Sequence, residues 1–97
     1  MKTITYHSDG ISFPDAEAEK AARYFLLHSP ETEITVSTSN FVDATRCLVK
    51  EEIYPFQDVV LSFEDKVLKI DKNGRLATWP RGFCDYTERW LERLCRR

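Results

Sequence analysis

The sequence is poor in the residues from which small catalytic and ligand sites are usually assembled, with three glycines, two histidines and three cysteines in 97 residues. Gly10, Gly74 and Gly82 stand far apart, so no glycine-rich loop can wrap backbone amides around a phosphate, and no cofactor is expected. His7 and His28 have no Glu or Cys beside them at metal-ligand spacing, which argues against a metal site. Cys47, Cys84 and Cys95 are odd in number and unclustered, a pattern that speaks against a disulfide framework and for a reduced compartment. No apolar run approaches transmembrane length, and Met1-Lys2 leads into polar, β-prone Thr3-Ile4-Thr5-Tyr6 instead of the apolar core of a signal peptide. The expected location is the cytoplasm, with no membrane partner.

A basic excess is lacking as well. The formal charge of −2 provides no general attraction to nucleic acid. Charge is uneven all the same: Asp9, Asp15, Glu17, Glu19, Glu31 and Glu33 outnumber Lys20 and Arg23 between positions 9 and 33, whereas five arginines face three acids from Arg81 onward. Opposed ends suit a protein contact, although two ordinary solvated helices would produce the same pattern. What the chain does have is 42% hydrophobic residues in a single-domain length, enough apolar material for one core and for one α/β domain spanning 1–97.

Local patterns predict a mixed order, β-α-β-α-β-β-β-α. Thr3 to Tyr6 reads as a short strand ending at the turn formers Ser8-Asp9-Gly10. A helix follows, with Ser12 and Asp15 in capping-box spacing around Pro14, and with Ala18, Ala21, Ala22, Phe25 and Leu26 recurring on one face. Glu33 to Thr38 is a β-branched strand, and Asn40 with Asp43 is placed to cap a second helix that turns Phe41, Ala44, Leu48, Val49 and Ile53 inward and closes at Pro55. The near-continuous apolar run Asp58 to Phe63 predicts a buried strand, Lys66 to Ile70 resumes in β, and Asn73-Gly74 predicts a type I′ hairpin with Arg75 to Thr78 returning alongside. Asp85 and Glu88 can cap a final helix whose Tyr86, Trp90, Leu91 and Leu94 form a stripe. The expected fold is a small α/β sandwich of two or three layers, with right-handed crossovers and a parallel sheet in the first half and an antiparallel meander in the second.

Few residues invite chemistry. Cys84 precedes the last helix, where a thiolate gains from the N-terminal dipole; a cysteine-dependent enzyme built on it with His7 and Asp9 or Asp85 is one alternative, and inert burial is the simpler one. Arg89, Arg93, Arg96 and Arg97 with Trp79 and Phe83 offer a nucleic-acid surface as a second alternative, but Glu88 and Glu92 at helical spacing more simply pair with those arginines.

The stretch from Phe56 to Phe63, the following Val67 to Leu76, and Trp79-Pro80-Arg81-Gly82-Phe83-Cys84-Asp85 together resemble the C-terminal end of ABC/SMC-like AAA ATPases, which close with a strand, a hairpin and a Trp-Pro-x-Gly-Phe tail. Ile34 to Asn40 is similar to their strand ending in the histidine-switch loop, and Phe13-Pro14 is similar to the segment after their Walker B strand. On that resemblance, Tyr6 and His7 stand where the family has its Walker B acids and Ser39 stands at the switch histidine, so magnesium binding and phosphate sensing lose their groups. The resemblance therefore implies a non-catalytic accessory module whose partner is a protein, an ATPase among the candidates. The tail and last helix, through Trp79, Arg81, Phe83, Arg89 and Arg93, form the expected contact face, since aromatic and arginine side chains dominate interface hot spots. Trp79 and Phe83 could equally plug the end of the core.

Overall fold

The computed structural model describes residues 1–63 and 66–76. Within them the chain forms β1 (Lys2–Ile11), α1 (Asp15–Leu27), β2 (Glu33–Val36), α2 (Ser39–Lys50), a short 3₁₀ turn (Phe56–Asp58), β3 (Val59–Phe63) and β4 (Lys66–Lys69). The sheet order is β2-β1-β3-β4. β1 lies parallel to both β2 and β3, and β4 returns antiparallel to β3. This is the mixed α/β sheet expected from the sequence, parallel first and antiparallel later. The final helix and the strand's continuation beyond Leu76 fall outside the described residues.

Strand periodicity sorts the sheet into two faces. Lys2, Ile4 and Tyr6 share one face, and the register places Ile34, Val36, Val59, Leu61, Phe63 and Leu68 on it. That face meets the helices: the Lys2 ammonium lies 4.8 Å from the centre of the Phe25 ring on α1, and Phe41 on α2 packs against both Phe13 and Phe25. Thr3, Thr5, Thr35, Ser62 and Val67 point the other way and stay exposed or half-buried. The described residues thus make two layers.

α1 buries Ala18, Ala22, Phe25 and Leu26, four of its five predicted stripe residues, and leaves Ala21 half-buried. α2 is buried along Asn40–Val49, well beyond the single face expected; α1 packs against it and the turn at Gly74 closes on Arg46. Neither predicted cap forms. Pro14 and Thr38 occupy the N-cap positions without a side-chain cap bond. Asn40 is drawn off to α1, where its amide donates to Phe13 O (2.6 Å) and Asp15 Oδ1 (2.8 Å), while Thr38 Oγ1 accepts the Phe13 N–H. α2 also ends before Pro55. Glu52 adopts φ +62°, its N–H donates to Val49 O, and the Ile53 N–H donates to Leu48 O, which closes the helix in a Schellman arrangement.

Two predicted turns come out differently. At Asn73-Gly74 only Gly74 has positive φ, +76°. The Asp71 carboxylate accepts the N–H groups of Asn73 and Arg75, and the Gly74 N–H donates to Asp71 O, so the hairpin turns through a type I turn with Gly74 as its left-handed residue. The return strand shows itself in the Ile70–Leu76 bridge. Ser8-Asp9-Gly10, predicted to end the first strand, instead lies inside β1 as an irregularity between Tyr6 and Ile11, both of which pair with Val36.

Candidate functional site

The sequence candidates are scattered. His7 is exposed at the end of the regular part of β1, and its Nδ1 accepts the Asp9 N–H at 3.0 Å, a local turn contact. His28 caps the C-terminus of α1, far in sequence and element from His7. Cys47 is buried in the middle of α2, as a small packing residue would be. Cys84, Asp85, Trp79, Arg81, Phe83, Arg89 and Arg93 lie outside the described residues. No group of three His, Cys, Asp or Glu side chains able to hold a metal occurs among the described residues.

Tyr6 and Ser39 line one crevice. It measures about 260 Å³, lies where β1 and β2 end and α2 begins, and is completed by Asp15, Ser37, Thr38, Asn40 and Asp43. Ligands of parallel α/β sheets bind in such a position, and a helix N-terminus favours anions. Here the Asp15 carboxylate accepts the Asn40 amide and the Asp43 carboxylate pairs with Arg46, so the crevice is lined by polar groups of the chain that already serve one another.

A larger concavity, about 570 Å³, opens at the other side of β2. Its construction begins with the irregularity in β1. In the parallel β1–β2 ladder the Thr3 N–H donates to Thr32 O, so the even-numbered backbone groups of β2 face β1 and the odd-numbered ones face away. The Ser37 N–H, an odd-numbered group, donates to Ile11 O at 2.9 Å. Residues 7–10 therefore carry the chain across the end of β2 and set Ile11 on its outer edge. Gly10 makes the crossing possible, because a Cβ there would sit 2.5 Å from the Val36 carbonyl carbon.

This flap covers only the Val36 end of the edge. Beneath it the outward backbone groups of Glu33 and the outward N–H of Thr35 have no neighbouring strand among the described residues. The concavity runs beside them, floored by Phe13, Ala21, Phe25 and Ile34 and walled by Ile11 and Tyr24, which are 54% and 59% exposed. Asp9, Glu31 and Glu33 rim it, and no Lys or Arg is among its described lining residues. The Ser29–Thr32 loop is pinned against β1 by the Lys2 ammonium, which donates to Ser29 O at 2.8 Å and also to Glu31 O. An apolar floor, free backbone polar groups and a negative rim are thus held in fixed relation by α1 and the sheet. Sequence reading missed this site because it took Ser8-Asp9-Gly10 as a turn; Gly10 between Asp9 and Ile11 was the one signal pointing to close backbone approach.

No known family, curated protein or solved structure matches the chain.

Proposed function

We propose that this chain is a non-catalytic protein-interaction module and that its partner docks in the groove beside β2. One observation carries the reading: two large apolar side chains, Ile11 and Tyr24, stand exposed on either side of an apolar concavity that borders an open strand edge. Exposed apolar surface gathered around a groove marks binding, where the same residues scattered singly would not. The resemblance of 56–85 to the end of ABC/SMC-like ATPases supports an ATPase as one class of partner, and the segment with Trp79, Arg81, Phe83, Arg89 and Arg93 is proposed as a second contact on its composition.

A photo-crosslinking amino acid placed at Tyr24, and at Val67 on β4 as a control, tests the reading in extract from the native cell. The expected result is a discrete cross-linked protein from position 24 alone. Its purified form should bind the folded chain at least tenfold more weakly after Ile11→Ser or Tyr24→Ser. Absence of a specific partner at position 24, or a partner whose affinity ignores both substitutions, overturns the proposal.

A further inference from the structure

Resting on the interaction-module reading, we infer that the groove takes an extended segment of basic-apolar alternation, which adds to the outer edge of β2 as a further strand. The backbone supplies the first reason. The outward N–H and C=O of Glu33 and the outward N–H of Thr35 are a ready template for main-chain hydrogen bonds, the means by which sheet edges recruit peptides. The opposite edge differs: β4 carries Lys66 and Lys69 on a strand of four residues, charges of the kind that discourage pairing.

Side-chain alternation supplies the second reason. A strand laid along β2 sends every other side chain to the helix-covered face, in line with Ile34, where Ala21, Tyr24 and Phe25 form an apolar receptacle. The side chains between them fall on the open face beside Glu33 and Thr35. Asp9, Glu31 and Glu33 surround these positions with negative charge, so lysine or arginine is favoured there and glutamate is rejected. A second copy of this chain is a poor occupant, because antiparallel pairing of two β2 edges would bring the acidic rims together. The Ile11 flap sets the length: it closes the edge at Val36 and limits pairing to a few residues, with register fixed by where the flap stops the incoming strand.

The test uses the full chain and three fluorescent octapeptides: alternating Lys and Val, alternating Glu and Val, and the Lys-Val peptide N-methylated at every residue, so that no N–H faces β2 in either strand direction. Anisotropy should show the Lys-Val peptide binding at least tenfold tighter than the other two, and binding should weaken as salt is raised. Glu31→Lys with Glu33→Lys should reverse the preference between the Lys-Val and Glu-Val peptides, whereas Val67→Ser should leave it unchanged. Amide NMR shifts should move at residues 31–36 and at Tyr24. Thr35→Pro, checked for fold by circular dichroism, should abolish binding by removing an outward N–H that donates to the peptide; the N-methylated peptide removes the converse bond, from peptide N–H to the outward Glu33 carbonyl, without touching the protein. Equal binding of the Lys-Val and N-methylated peptides, a preference for Glu-Val, shifts elsewhere, or a dimer pairing through β2 in light scattering would each overturn the inference. These outcomes are separable from failure of the wider reading: a cross-linked partner at position 24 whose affinity ignores Thr35→Pro sinks strand addition alone, and no partner at position 24 sinks both.

Discussion

At the scale of single residues, most decisions in this molecule are about backbone polar groups and who satisfies them. Gly74 shows the tightest case: a Cβ would lie 2.4 Å from the Arg46 carbonyl oxygen, and the glycine's own carbonyl accepts the Arg46 Nε–H at 2.7 Å. Tyr54 shows how partial burial acts on a titrating group. Burial, and then the nearby Asp58 carboxylate, push its phenol above the ordinary value of about 10. A raised folded-state value means that the native chain holds its proton where the unfolded chain has released it, so the contribution is fully present below pH of about 10 and is lost as pH climbs through the folded value. Tyr54→Phe should therefore flatten the alkaline fall in stability while leaving neutral pH nearly untouched. Urea midpoints at neutral pH and above 10 provide the check; an alkaline limb identical in both proteins would refute it.

At the scale of elements, the ends of the helices are governed by neighbours more than by their own caps. Asn40 was legible as a capping residue, yet Thr38 takes the N-cap position and Asn40 lies inside the helix, where its Nδ2 donates to the Phe13 carbonyl just before α1 and to the Asp15 carboxylate at its start. α2 then ends on Glu52, a side-chain-bearing residue held at φ +62° where glycine is the usual choice. Left-handed backbone costs a non-glycine residue about 1–2 kcal/mol, partly offset by the entropy that glycine brings to the unfolded chain. Glu52→Gly should raise stability by about 0.5–1 kcal/mol, seen as a higher urea midpoint at unchanged slope. The turn at 71–75 makes a related point. Asn73-Gly74 announced a hairpin in sequence, and the Asp71 carboxylate, gathering two N–H groups, selected the type I geometry over the mirror-image turn.

At the scale of the whole molecule, one buried charge pair ties the layers together. Asp43 and Arg46, one turn apart on α2, are both almost wholly buried, with Nη1 to Oδ1 at 3.3 Å, and Arg46 extends the link to the hairpin at Gly74. Removing one member strands the other in a low-dielectric interior, which typically costs about 3–5 kcal/mol. Arg46→Met should lose about that much, and adding Asp43→Asn should restore part of it, so that the double variant is more stable than the single one. Chemical denaturation of the single and double variants measures the coupling; strict additivity would contradict the link.

Alternation and helical period were enough to place every described strand and both helices in order, since each strand and helix carries its own apolar face and needs no partner to reveal it. The stripe Ala18-Ala22-Phe25-Leu26 and the run Val59 to Phe63 are the clearest instances. Which faces met was decided only in three dimensions. That the two helices pack on each other, that α2 is buried all round, and that residues 7–11 cross β2 to leave a groove at its edge depend on contacts between segments 16 or more residues apart. Local sequence holds the energy of each element with itself, and the groove arises from the energy of elements with one another.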